Sequence, residues 1–426
     1  MPAALDIISL GCRLNLVESE AMRRLAGAAG LKDAVVINTC AVTNEAVRTA
    51  RQNIRRARRA RPGARIIVTG CAAQTAPDDF AAMTEVDAVI GNQEKLTPHE
   101  WRALADAPAP GDEDAPTVRV NDIMSVRETA GHLIDGYGDH ARAFLQIQNG
   151  CDHRCTFCII PFGRGNSRSV PVSVAVEQAK RLTAAGHHEI VLTGVDMTSY
   201  GDDLDGAPTL GALVAALLDQ VPALARLRLS SVDGAEIDAE LFERITGDSR
   251  VAPYLHLSLQ SGDNMILKRM KRRHTREQAI ELCHNIRARR ADVAFGADII
   301  AGFPTETEAM FTHSLDIIDE AGLQYLHVFP FSPRQGTPAA LMPQVPRAII
   351  KERAARLRAK AADALHGFLD ALVGREETAI MESGGRARLG NFASVKVTNG
   401  ETAAIGAACQ LHLTAREGDL LIGEAI

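Results

Sequence analysis

Cys151-Asp152-His153-Arg154-Cys155-Thr156-Phe157-Cys158 places three thiols within eight residues, spaced C-x3-C-x2-C. The stretch follows an apolar run containing Phe144, Leu145 and Ile147 that reads as a strand. Structural zinc sites bring four ligands, commonly as two C-x2-C pairs. No fourth cysteine stands near this stretch, and the loop is expected to turn His153 outward. Three thiolates suit a 4Fe-4S cluster, because soft sulfur selects iron–sulfur chemistry and three ligands leave one iron open. The plainer alternative, three cysteines packed as small core hydrophobes, conflicts with the polar character of the loop.

With Phe157 in the aromatic slot of C-x3-C-x-aromatic-C, the stretch resembles the signature of the radical S-adenosylmethionine (SAM) enzymes. The resemblance implies that Cys151, Cys155 and Cys158 hold the cluster and that SAM chelates the fourth iron through its amino and carboxylate groups. The next residues, Ile159-Ile160-Pro161-Phe162-Gly163-Arg164-Gly165, are similar to the methylthiotransferase branch of that superfamily.

Upstream, one pattern occurs three times: a β-rich run ending in cysteine, at 6–12, 34–40 and 65–71. Helical stretches at 17–29 and 44–60 lie between, which makes βαβ units and a parallel sheet. The carboxyl ends of such strands share one edge, so Cys12, Cys40 and Cys71 are expected to converge as a second cluster site. Methylthiotransferases carry an auxiliary cluster on three such cysteines, and Asn38-Thr39-Cys40-Ala41-Val42-Thr43-Asn44-Glu45-Ala46 and Gly70-Cys71-Ala72-Ala73-Gln74 resemble their motifs.

The helix after Cys40 carries Arg48, Arg51, Arg55, Arg56, Arg58, Arg59 and Arg61, with almost no acidic residue beside them. A solvated basic face is the usual meaning of such a run. Its place near the second cysteine set makes a phosphate-backbone contact an equal alternative. From 97 to 140 the periodicity fades, and the Pro-, Gly- and acid-rich 107–116 has linker composition. Trp101 is expected to pack on the first domain.

Downstream, strands expected at 143–148, 189–195, 226–232, 254–260, 294–300 and 325–331 alternate with helices, a repeated βα unit of six turns. Radical-SAM enzymes resemble this partial (βα)6 barrel. Polar residues stand at its strand ends, where barrel sites are assembled. Candidate SAM contacts are Phe157, Thr193, Gly194, Asp196, Ser231, Gln260 and Asp298. A basic stretch from Lys268 to Arg276 reads equally as substrate-facing or solvated, and Cys283, at helical spacing between Ile280 and Ile286, reads as core. After a long helical pattern at 347–372, short β-rich runs separated by glycine suggest a small OB-like barrel. It resembles the tRNA-binding TRAM domain of the methylthiotransferases, although acidic residues slightly outnumber basic ones. Cys409 there reads as structural.

The expected fold is therefore α/β. It comprises an N-terminal parallel-sheet domain (1–100), a linker (101–140), a partial (βα)6 TIM-like radical-SAM barrel (141–372) and a small C-terminal TRAM-like β-barrel (373–426). No basic leader or run of about 18 apolar residues is seen, so neither a signal peptide nor a membrane span is expected. The eight cysteines, gathered in motifs, fit metal ligation in a reducing cytoplasm. A net charge of −6 leaves nucleic-acid contact to local basic patches.

Within the family, the motifs most resemble the branch that adds a 2-methylthio group to threonylcarbamoyladenosine at position 37 of the tRNA anticodon loop. The resemblance implies two 4Fe-4S clusters and SAM as both radical source and methyl donor. It implies that no side chain acts as nucleophile, and that an electron donor protein and a sulfur source are needed. The alternatives are methylthiolation of isopentenyladenosine at the same position, modification of a ribosomal-protein aspartate, or a non-enzymatic iron–sulfur RNA-binding regulator. Polar groups at the strand ends disfavour the last, because a sensor needs no SAM cavity.

Overall fold

A computed structural model describes residues 5–108, 116–128, 136–138, 140–398 and 403–426. Most of the linker-like stretch (109–115) and the first four residues lie outside the described residues. The chain divides into two compact units, 1–134 with 148–169 and 332–337, and 135–147 with 170–331 and 338–426. The cysteine loop 151–158 thus belongs to the same unit as the N-terminal sheet.

That sheet has five parallel strands in sequence order: Asp6–Ser9, Ala34–Thr39, Arg65–Gly70, Ala88–Ile90 and Thr117–Arg119. Every residue of the second and third strands is buried, as a sheet covered on both faces requires. Alternation divides them between two cores. Val35, Ile37, Ile66 and Val68 pack with Ile54 and Ala57 of helix Asn44–Ala60. Val36 and Ile67 pack with Met22 of helix Arg13–Ala28 and with Trp101. Trp101 is fully buried and donates through Nε1 to the Lys95 carbonyl (2.8 Å). The fourth and fifth strands span three residues each, too short to show a sequence period. The fifth lies in the stretch that reads as a linker.

The second unit carries six parallel strands consecutive in sequence. They are Ala143–Gln146, Glu189–Thr193, Arg226–Leu229 continuing at Ser231–Val232, Tyr254–Gln260, Ala294–Ala301 and Tyr325–Pro330. Strand three belongs to both halves of the arc: its first part pairs with strand two, its second with strand four. Helices Val172–Ala184, Leu210–Gln220, Ala239–Gly247, Arg276–Arg289 and Glu308–Glu320 lie between the strands, the partial (βα)6 arrangement expected.

The 24-residue helix Arg347–Asp370 leads into a closed barrel of five strands. Its Phe392 stacks on Tyr254, the first residue of strand four, with ring centroids 4.7 Å apart. Beside it the buried Arg228, which donates to Glu189 (2.7 Å), also donates to the Gly390 carbonyl (2.9 Å). No helix among the described residues is long and apolar enough to cross a membrane.

Candidate functional site: two cysteine sets and a barrel lumen

In the first unit, a short antiparallel pair, Gln148–Asn149 with Arg168–Ser169, pinches the two ends of the cysteine loop together. Gly150 and Gly165 both have positive φ (+74° and +77°). A Cβ on Gly150 would collide with the Asn166 carbonyl, so the pinch needs glycine there. The Cys151 amide donates to the Gly165 carbonyl (3.1 Å), and the Cys158 amide to that of Cys155 (3.1 Å). Arg154 steadies the loop through the carbonyls of Cys151 and His153 and the side chain of Asn166. Cys151, Cys155, Phe157 and Cys158 are half-buried, and so is His153, which does not turn fully outward.

The other three cysteines meet at the carboxyl edge of the sheet. Cys12 caps helix Arg13–Ala28, Cys40 follows the second strand, and Cys71 opens the short helix after the third. Their charges sense one another: burial pushes the Cys40 thiol up to about 11, and Cys71 and Cys12 add to the rise. Gly11 lies against Cys40, where a Cβ would come 2.7 Å from the Cys40 Cβ. No disulfide links any cysteine among the described residues.

Beneath this set lies a charged network that sequence reasoning missed. Glu18 and Lys95 are fully buried and 2.7 Å apart, and Arg164, from the segment after the cysteine loop, donates to Glu18 at 2.6 and 3.1 Å. Burial alone would raise the Glu18 carboxyl, but Arg164 and Lys95 outweigh it and hold it down at about 2. Asn15 accepts from Arg164 (2.6 Å), and Asn92 accepts from Lys95 (2.6 Å) and donates to the Gly163 carbonyl (2.5 Å). Two cations against one carboxylate leave an excess positive charge within electrostatic reach of Cys71. An isolated buried charge is costly unless compensated. An iron–sulfur group held by three thiolates would carry net negative charge and would supply that compensation. The donor set and the buried excess charge both fit such a group.

The barrel brings polar groups to its strand ends. Thr193 is buried, Gly194 half-buried, and Asp196 accepts from the Ser199 hydroxyl (3.0 Å). Ser231 is exposed, and Gln260 has a positive φ of +71°. Asp298 is engaged differently: its Oδ1 accepts from His256 (3.0 Å) and His327 (3.2 Å). Burial would raise its carboxyl, but the two histidines bring it down to about 2. Cys283 is fully buried in the core and Cys409 half-buried, neither joining a cysteine set.

The basic helix Asn44–Ala60 is largely neutralised, contrary to the expectation of few acidic partners. Arg48 pairs with Glu45, Arg51 with Asp79, Arg55 with Glu85, Arg58 with Asp87, and Arg61, just beyond, with Asp33. Four of these acids come from other elements, which the local sequence does not reveal. Arg56 and Arg59 are exposed, and no ion pair to either occurs among the described residues. The stretch at 268–276 is likewise tied down: Arg272 binds Asp233 (2.7 Å) and the Ser258 carbonyl, and Arg276 binds Glu320 (2.6 Å). Lys268 and Lys271 stay exposed.

Comparison with known proteins accords with this geometry. A model of the radical SAM superfamily matches residues 145–318, and one of the uncharacterized protein family UPF0004 matches 4–91. The threonylcarbamoyladenosine tRNA methylthiotransferase MtaB of Rickettsia prowazekii is 51% identical over 92% of this chain and 91% of its own length. The chain belongs to the radical-SAM methylthiotransferase family. A second member, the tRNA-2-methylthio-N(6)-dimethylallyladenosine synthase of Erythrobacter litoralis, is 34% identical over 90% of this chain and 88% of its own. Among solved structures, the radical SAM methyltransferase TsrM of Kitasatospora setae, with tryptophan and a SAM analogue bound, shares the fold. Its TM-score is 0.54 at 17% identity, covering 77% of this chain and 68% of that one. A 4Fe-4S cluster and SAM follow from membership of the superfamily.

Proposed function

We propose that this enzyme adds a methylthio group to carbon 2 of threonylcarbamoyladenosine at position 37 of tRNA. The observation that carries the reading is the pair of three-cysteine sets within one compact unit, in a chain whose 51%-identical relative has that activity. Cys151, Cys155 and Cys158 would hold one 4Fe-4S cluster, and Cys12, Cys40 and Cys71 would hold a second as the site for the sulfur to be transferred. The first cluster, with SAM bound, supplies the radical that side-chain acids and bases cannot make at an adenine carbon.

The chain's own residues do the positioning. Gly150 and Gly165 let the cysteine loop close, and Arg164, Lys95 and Glu18 set the charge beneath the second cysteine set. Phe157, Thr193, Gly194, Asp196, Ser231, Gln260 and Asp298 are the proposed contacts to SAM. The proposed domain limits are those drawn from the sequence, except that 148–169, which the sequence puts in the radical-SAM domain, groups with the N-terminal sheet. The C-terminal five-stranded barrel takes the TRAM role. The substrate is the anticodon loop, the setting is the cytoplasm, and an electron donor protein and a sulfur source complete the reaction.

A second reading, methylthiolation of dimethylallyladenosine, is favoured by relatives such as the Erythrobacter litoralis enzyme, at lower identity. Mass spectrometry of tRNA nucleosides from a strain lacking the gene separates the two. Loss of the 2-methylthio derivative of threonylcarbamoyladenosine supports the first reading, and loss of the dimethylallyl derivative instead supports the second.

A further inference from the structure

Three polar residues on neighbouring strands interrupt otherwise apolar runs in the barrel. His256 of strand four, Asp298 of strand five and His327 of strand six each offer one ligating atom, all within 4.8 Å of one another. The His256 and His327 rings lie 4.8 Å apart, centroid to centroid. Asp298 Oδ1 accepts from Nε2 of His256 and from Nδ1 of His327. His256 is spent on this arrangement: it is buried, and its other nitrogen meets the Tyr254 hydroxyl at 2.9 Å. Gly296 makes the packing possible, since a Cβ there would come 2.6 Å from the His256 Nδ1 and collide with the Tyr254 hydroxyl.

His327 differs from His256. Its side chain is 59% exposed, and among the described residues its Nε2 has no hydrogen-bond partner. A ring that gives its Nδ1–H to a carboxylate has a fixed orientation and presents Nε2 as one directed hydrogen-bonding group. Phe329, two residues on along the same face, is exposed beside it, ring centroids 6.5 Å apart. Sites for small organic groups combine apolar lining with a few placed polar atoms, and Phe329 and His327 offer one of each.

The substrates of the two kinds of relative differ in one place. A threonylcarbamoyl group carries urea N–H groups, a hydroxyl and a carboxylate, whereas a dimethylallyl group offers no hydrogen bond at all. We propose that His327, oriented by Asp298 over His256, is a specificity-determining residue that hydrogen-bonds the polar N6 substituent of the target adenosine. The inference rests on the function proposed above and names how that function chooses its substrate. A site built to pair with a polar substituent rejects an apolar one, because its own polar atom is then left unpaired.

The test compares wild type, His327→Phe and His327→Gln, as full chains reconstituted anaerobically. Substrates are tRNA bearing threonylcarbamoyladenosine and the same tRNA bearing dimethylallyladenosine; equilibrium binding of the first is measured beside unmodified tRNA. His327→Phe should lower kcat/KM for the threonylcarbamoyl substrate by about 10- to 100-fold, mostly through KM. It should also erase the binding preference for modified over unmodified tRNA, and His327→Gln should restore part of both. A Phe variant that keeps its preference and its KM overturns the proposal, as does an equal loss on both modified substrates. Stoichiometric zinc bound by wild type and lost in His327→Gln would reassign the three residues to a cation site. The wild-type arm stands apart: turnover of the dimethylallyl substrate alone overturns the proposed function itself, and this inference with it.

Discussion

Arg164, six residues beyond Cys158, donates both terminal nitrogens to the Glu18 carboxylate, at 2.6 and 3.1 Å, with side-chain exposures of 1% and 0%. The pair ties the segment after the cysteine loop to the helix that begins at Cys12. The two three-cysteine sets therefore share structural support within the first unit, while their thiols come from different segments of the chain.

Removing the shared anion should be severe. Glu18→Ala leaves Lys95 and Arg164 buried together without compensation, a cost of about 3–5 kcal/mol. Thermal unfolding followed by circular dichroism should show the midpoint of the first unit falling by roughly 10 °C or more. A midpoint unchanged from wild type would mean that the network holds no charge in the folded protein.

The cysteine loop should be sensitive to its hinge. Gly150→Ala puts a Cβ against the Asn166 carbonyl at a backbone angle that L side chains avoid. Iron analysis after anaerobic reconstitution should then find roughly half the wild-type iron, as expected if one of two four-iron clusters is lost. Full iron content in this variant would show that the loop closes without the glycine.

The arginine helix should divide into two classes. Arg56→Glu with Arg59→Glu should weaken tRNA binding and flatten its dependence on salt by roughly 1–2 in the log–log slope. Arg58→Ala should instead cost about 2–3 kcal/mol of stability, because it removes bonds to Asp87 and to the carbonyls of Pro62 and Ala64. An unchanged salt slope in the Arg56/Arg59 double variant would return the whole helix to a solvated face.

Acid should act on the barrel through Asp233. Burial would raise its carboxyl, but His274 and Arg272 hold it at about 2, below its ordinary 3.8. A depressed carboxyl adds stability above its unfolded value and loses it as pH falls towards the folded one, here roughly 2 kcal/mol between about pH 4 and pH 2. The stability gap between wild type and Asp233→Asn should hold from neutral pH down to about 5 and narrow below about 4. A gap that narrows instead between pH 6 and 8 would assign the effect to a histidine.

Much of this architecture is written locally in the chain. Buried parallel strands need unbroken apolar runs, so Ala34–Thr39 and Arg65–Gly70 declare themselves, and three cysteines within eight residues need no tertiary context. What depends on distant pairing is hidden. Glu18, Lys95 and Arg164 lie 77 and 146 positions apart along the chain, and nothing beside each one foretells the others. The partners of Arg51, Arg58 and Arg61 come from Asp79, Asp87 and Asp33, so a helix that reads as bare cation is mostly paired. Asp298 stands out at a strand end, but its engagement with His256 and His327 exists only once three strands align. The available signal was a histidine in the middle of an apolar strand, twice over.

The central claim is that two clusters with separate duties are built on six cysteines, and one paired measurement reaches it most directly. Reconstituted wild type, Cys155→Ala and Cys40→Ala are assayed on the same samples for 5′-deoxyadenosine by chromatography and for methylthio-nucleoside by mass spectrometry. Cys155→Ala should abolish both products. Cys40→Ala should keep measurable cleavage of SAM to 5′-deoxyadenosine and make no methylthio-nucleoside, because the sulfur then has no iron to occupy. A Cys40→Ala protein that still forms the full amount of methylthio product would contradict the second cluster and the division of labour with it.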